Sequence, residues 1–172
     1  MSVCATAMLT KVISGGQTGV DRAALRAARG CGLAIGGWCP PGRTCEAGAI
    51  PEDLTLIETP EDRARDAPDV PRSMRTEWNV RDSDATLVLR RGETTGNDPG
   101  TEWTARCAER LGRPLLTCDP TEAGVAARIV AWLDASPIRV LNVAGPSEAT
   151  QPGIGAEVEA VLRAVFAQQR RP

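Results

Sequence analysis

Histidine and tyrosine are both absent from this 172-residue sequence. Without an imidazole there is no Ser-His-Asp triad, no Cys-His dyad, no HExxH zinc site and no histidine general base. Acid–base chemistry falls to Asp, Glu, Cys, bound water or the single lysine, Lys11. No run of about 18 apolar residues is present, which argues against a membrane span. Six cysteines stand at 4, 31, 39, 45, 107 and 118, and none forms a CxxC pair. A zinc ribbon or a thioredoxin-type motif is therefore disfavoured. The cysteines read as small apolar packing residues of a reduced, cytoplasmic protein with no signal peptide. A formal net charge of −2 provides no bulk attraction to nucleic acid. All basic residues but Lys11 are arginine, a bias that points to coding composition before function.

What is present alternates between two periodicities. Met8 to Ile13, Leu33 to Ile35, Leu54 to Glu58, Asp84 to Arg90, Pro114 to Cys118 and Ile138 to Val143 read as strands. Val20 to Arg29, Ser73 to Arg81, Glu102 to Leu111, Thr121 to Leu133 and Ala156 to Gln168 read as helices. The proline-containing segment 61–71 is expected to be mobile, and the tail 169–172 to fray. Strands alternating with helices predict one α/β domain over 1–172, with an open, mostly parallel sheet and helices on both faces.

Twelve of the seventeen glycines follow strands. Ligands of open parallel sheets bind at the carboxyl ends of strands, and glycine there lets backbone approach a ligand closely. The run Ser14-Gly15-Gly16-Gln17-Thr18-Gly19 sits between a strand and a helix. It predicts a phosphate-binding loop whose amides, with the helix N-terminus, cradle an anion. Thr18 adds a hydroxyl. Asp21 either complements the helix dipole or binds a hydroxyl or amine of the ligand, and Arg22 reaches a phosphate or only solvent. The loop is neither GxGxxG nor a P-loop with its lysine, so an NTPase is disfavoured. The loop Gly36–Arg43 carries Trp38, placed to stack on a flat heterocycle or to anchor the loop in the core, and Arg43, placed to meet an anion. Cys39 is a packing residue or a soft metal ligand, and no metal site is assigned. Asn79 and Asp82 cap or tie down the end of the Ser73–Arg81 helix. Gly100-Thr101 predicts a second anion-binding helix N-terminus, with Thr101 as the cap.

Four blocks carry a resemblance: Ser14–Arg22, Gly36–Pro40, Trp78–Thr86 and Leu141–Pro146. In this order, and over nearly the whole chain, they resemble the molybdenum carrier protein family. That family is similar to the lysine-decarboxylase-like "LOG" hydrolases and to the DNA-processing protein A fold. The resemblance implies a Rossmann-like, three-layer sheet, a homo-oligomer, and binding of molybdenum cofactor, a phosphorylated pterin with a dithiolene-bound metal. On this basis Ser14 to Gly19 hold the phosphate, Trp38 and Arg43 border the ring, and Gly100 and Thr101 face the other end. The LOG hydrolases have Pro-Gly-Gly-x-Gly-Thr-x-x-Glu, whereas here Asp98-Pro99-Gly100-Thr101-Glu102-Trp103-Thr104 lacks the double glycine and has Thr104 in place of the glutamate. The expectation is a carrier that binds without converting its ligand. Two alternatives stand beside it. One is a nucleoside 5′-monophosphate phosphoribohydrolase using Asp21, Glu102 or Asp84; the other is a nucleotide-sensing module with Arg63 and Arg65 on its surface.

Overall fold

The computed structural model describes residues 8–92 and 98–169. In chain order the strands are β1 (Lys11–Ile13), β2 (Ala34–Gly36), β3 (Trp38–Cys39), β4 (Thr44–Cys45), β5 (Gly48–Ala49), β6 (Ile57–Glu58), β7 (Ala85–Leu89), β8 (Leu115–Cys118) and β9 (Val140–Ala144). The helices are α1 (Val20–Gly30), α2 (Ser73–Arg81), α3 (Pro99–Arg110), α4 (Val125–Asp134) and α5 (Ile154–Gln168). Five parallel strands form the main sheet in the order β2-β1-β9-β7-β8. The last strand in the chain is thus a central strand of the sheet. Val12 lies between Ile35 on one side and Leu141 on the other.

Side-chain alternation divides the core into two faces. Val12, Ala85, Leu87, Leu89, Leu141 and Val143 point to one face, where α1, α4 and α5 cover them with Ala23, Ala24, Ala27, Ile129, Leu162 and Phe166. Each of the larger aliphatic residues removed from water there contributes about 1.5–3 kcal/mol. Thr86 and Asn142 point to the opposite face and bond each other, Asn142 Nδ2 donating to Thr86 Oγ1 at 3.2 Å. That face is covered by α2 and α3, which pack through Val80, Trp103, Cys107 and Ala108. The result is the three-layer α/β architecture that the alternation of periods predicts. Among the described residues no helix is long and apolar enough to cross a membrane.

The region after β2 departs from expectation. Gly36–Arg43, expected as a loop, contains β3 and a 3-10 turn at Pro41–Arg43. Leu54–Glu58, expected as a strand, yields only β6, which pairs with β3 in a separate two-stranded sheet. β4 and β5 form a small antiparallel hairpin. Leu25, Cys39, Cys45, Ile50, Leu54 and Leu56 make a satellite core beneath these pieces. The physical reason is local: the Arg43 guanidinium donates to the carbonyls of Pro51, Leu54 and Leu56 at 2.8–3.1 Å. Those carbonyls are then used by a side chain and not by a ladder.

The segment 61–71 is packed against α2. Ala64 and Ala67 are buried. The Ser73 hydroxyl accepts from the Ala64 amide at 2.8 Å and donates to the Ala67 carbonyl at 2.9 Å. Gln169 caps α5, and the rest of the tail, with Cys4, Thr94, Thr95, Gly96 and Asn97, lies outside the described residues.

Gly145, directly after β9, is where the central strands meet α1. A Cβ there would overlap the Leu89 carbonyl oxygen and stand 2.8 Å from Cγ2 of Val20. Both obstacles belong to rigid elements. Gly145→Ala is therefore expected to destabilise the fold by about 1–3 kcal/mol, read as a lower urea midpoint with an unchanged slope.

Candidate functional site

A crevice of about 240 Å³ opens beyond the carboxyl ends of β1 and β9, on the α2/α3 side of the sheet. Asn142 to Gly145 and Gly15 form one wall, the start of α3 (Asp98 to Thr101) a second, and Arg72, just before α2, with Arg75 and Thr76 of α2 a third. Asp21 and Gln17 close the floor.

The floor is electrostatically unusual. Asp21 is 2% exposed, and its Oδ2 accepts from Arg75 Nη1 at 2.9 Å and from the Gln17 amide at 3.2 Å. Burial raises the Asp21 pKa above the ordinary carboxylate value; Arg75 and the Gln17 amide oppose that rise. Gly15 makes the pair possible. A Cβ at that position would stand 2.6 Å from Cζ of Arg75, so the guanidinium lies across the glycine backbone. Arg72, the residue before α2, is held in the left-handed region at φ 59. Such strain in a non-glycine residue is characteristic of functional sites. Among the described residues its guanidinium has no ion-pair partner.

Of the residues singled out from the sequence, Gly15, Gln17, Asp21, Asn79, Gly100 and Thr101 line this crevice. The others do not, for identifiable reasons. Ser14 is fully buried and donates to the Val143 carbonyl at 2.6 Å, stitching β1 to β9. Gly16 has φ +80, and a Cβ would meet Leu56 and Ile50 of the satellite core. Gly19 has φ +78 and abuts the Pro146–Glu148 backbone. Thr18 donates to Glu46 and accepts from the Glu148 amide. Arg22, expected to reach phosphate or solvent, instead donates to the Gly16 carbonyl and to Cys45 Sγ, both at 3.1 Å. Arg43 is spent on carbonyls, as described above. Trp38 turns toward the end of α2, where Nε1 donates to Asp82 at 2.7 Å and the ring meets Trp78 edge-on at 4.7 Å. It borders no ligand space. Cys39 is buried among apolar side chains, and burial raises its pKa. Asn79, although it lines the crevice, has its amide occupied at both ends by the Trp38 backbone.

The expected amide cradles are largely filled by the protein itself. Pro146 O accepts the Val20 amide at the head of α1, and Asp21 takes the Gln17 amide. Asp98, not Thr101, caps α3: its carboxylate accepts from the Thr101 amide at 3.2 Å and also from the Thr101 hydroxyl. The Asp-Pro-Gly-Thr order signals this, with an N-cap acid followed by proline at the first helical position. Glu148 accepts from the Gly153 and Gly155 amides at 2.7 and 2.8 Å at the head of α5. Asp84 accepts from the Arg139 and Val140 amides at the opposite end of the sheet, and Glu102 is exposed outside the crevice. Arg72, Arg75, Thr104 and Asn142 went unassigned from the sequence. Only Asn142 carried a usable signal, as a polar residue inside an apolar strand.

Comparison with known proteins bears on this geometry. The model of the family described as "Circularly permutated YpsA SLOG family" matches residues 12–166. A crystal structure at 1.45 Å of a protein from Syntrophus aciditrophicus SB, described as a "Putative molybdenum carrier protein", is similar at 36% identity. That alignment covers 92% of this chain and 96% of the other, with a TM-score of 0.78. No match is found among curated proteins.

The buried pair makes a pH-dependent contribution of defined sign. A carboxyl whose pKa is raised on folding contributes stability that is fully present below the unfolded value and is lost as pH rises through the folded value. The Tm of wild type minus that of Asp21→Asn should therefore fall as pH rises above the ordinary carboxylate value; a difference flat with pH would contradict the assignment. Gly15→Ala displaces the guanidinium, removes its opposing effect and should extend that decline to higher pH.

Proposed function

Since the chain belongs to the circularly permutated YpsA SLOG family, we propose that it is a carrier that binds a compact phosphorylated heterocycle, with molybdenum cofactor as its cargo. The observation that carries this proposal is the crevice at the carboxyl ends of β1 and β9, which joins a left-handed arginine with no ion-pair partner among the described residues to a floor of buried hydrogen-bonding groups. In open α/β sheets ligands bind in this position. A volume of about 240 Å³ lies just below the ~300–1,000 Å³ of drug-sized sites, which suits one end of an extended ligand. The description of the Syntrophus protein as a molybdenum carrier supports the choice of cargo.

In this proposal the ligand's phosphate pairs with Arg72, since a guanidinium matches a phosphate bidentately. Gly100 and Thr101 border the same end of the crevice, and the ring edge lies on the floor near Gln17 and Asp21. Among the described residues no group of three His, Cys, Asp or Glu side chains is placed to hold a metal. In this proposal the metal stays on the ligand's own dithiolene. The sequence has no histidine, which fits a protein that holds its ligand unchanged. We place the carrier in the cytoplasm as a homo-oligomer of single-domain chains.

Asp21 favours one rival. A carboxyl with a raised pKa beside a ligand site is a candidate acid for cleaving an N-glycosidic bond. Incubation with a panel of nucleoside 5′-monophosphates separates the two: release of free base would replace the carrier proposal. The carrier proposal predicts that protein purified natively yields the fluorescent oxidation product of pterin in stoichiometric amount.

Arg72→Gly tests the anion site without sacrificing the fold. Glycine accepts φ 59 at no steric cost, whereas an L-residue there loses about 1–2 kcal/mol. The variant should keep or slightly raise the wild-type Tm while binding a phosphorylated pterin at least about tenfold more weakly, the loss of a charge-assisted bond. Unchanged affinity would remove Arg72 from the site.

A further inference from the structure

Among the described residues lining the crevice, Gln17 and Arg75 each keep a buried side-chain polar atom without a hydrogen-bond partner, and that of Gln17 is the acceptor. Gln17 is 5% exposed and lies on the floor. Its Nε2 donates to the Thr44 carbonyl at 3.3 Å. Against a carbonyl oxygen only the NH2 end of the amide can sit, so the orientation of the side chain is fixed. Oε1 is then buried with no hydrogen-bond partner among the described residues. A buried acceptor left unpaired is costly, and native structures leave few of them without a reason. The backbone of the same residue is tied down too, its amide donating to Asp21. Both anchors hold the free oxygen in one place.

We propose that Gln17 is the specificity-determining residue of the crevice and that Oε1 accepts a hydrogen bond from an exocyclic amine on the ligand's ring. This rests on the binding function proposed above and narrows it to heterocycles with an amino group next to a ring N–H, the edge shared by pterin and guanine. Asp21, beside Gln17 on the floor, adds a second acceptor for the adjacent ring N–H when it is ionised. A ring without the amine leaves Oε1 unpaired in the complex. Sites that satisfy a buried polar group through the ligand discriminate strongly against analogues that lack the matching group.

Two ligand pairs that differ only in the amine test this on the intact protein: pterin-6-methyl phosphate against its 2-desamino analogue, and GMP against IMP. Titration calorimetry on wild type should show a preference of about tenfold or more for the amino member of whichever pair binds. The pair that binds identifies the ring system, pterin or purine. In Gln17→Leu the preference should collapse to within about twofold, chiefly through weaker binding of the amino ligand. Equal affinity for amino and desamino ligands on wild type would overturn the role of Gln17 and leave the binding function standing. Failure of all four to bind would overturn the binding function and this inference together. The wild-type comparison requires no variant to fold, and circular dichroism of Gln17→Leu shows whether its titration reports on the site.

Discussion

A single buried ion pair holds the functional end of this molecule in shape. Asp21 belongs to α1, Arg75 to α2, and the two elements cover opposite faces of the sheet. Their contact crosses the end of β1 at Gly15, the one position there where a side chain would evict the guanidinium. Such a pair is a weak source of net stability, because desolvating two charges offsets most of their attraction. Its importance is positional. Losing either partner strands a charge in the interior, so the sequence must keep both residues and the glycine between them. The floor of the crevice, Gln17 included, inherits its geometry from that constraint.

The same economy recurs around the rim. Carboxylates such as Asp21, Asp62, Asp98, Asp119 and Glu148 accept amides at loops that follow strands or open helices. Each places a negative charge where a helix or loop presents bare N–H groups, the position an external anion would otherwise take. Under the proposed function, recognition of a ligand's charge would pass from backbone to side chain, and Arg72 is the crevice cation with no ion-pair partner among the described residues. A left-handed arginine is an expensive way to position a cation. Its retention at the mouth of the crevice is understandable if the guanidinium has to point inward from a residue that cannot be helical.

Much of the architecture was legible in the sequence, because hydrophobic period is set by burial and burial is set by the sheet. α2 begins and ends where its pattern does, and the apolar run Ala85–Leu89 is buried throughout. The region after β2 was not legible, since its organisation depends on one arginine collecting three carbonyls, a tertiary event with no periodic trace. The glycine-rich loop was found, but its glycines serve different masters. Gly15 yields space to Arg75, Gly16 to Leu56, and Gly19 to the chain after β9. Composition shows that a backbone must come close to something; it cannot say whether that partner is a ligand or the protein's own next segment. Trp38 and Arg43 misled for the same reason, as residues with strong binding chemistry that found partners inside the fold.

The position of β9 gives the crevice a further property. This strand arrives last in the chain yet inserts between β1 and β7. Its residues Asn142 to Gly145 supply one wall, and the loop that follows locks onto the head of α1, the Pro146 carbonyl accepting from the Val20 amide. Pairing the first strand with the last, Lys11 with Val140, closes a loop over about three quarters of the chain, a non-local step that comes at high entropic cost and slows folding. Before that step the wall formed by Asn142 to Gly145 does not stand beside the floor. Under the proposed function, a ligand bound there stabilises the closure of the chain by mass action. Under the proposed function, a crevice built this way links ligand binding to the integrity of the fold: a chain that has not paired β1 with β9 lacks the Asn142–Gly145 wall.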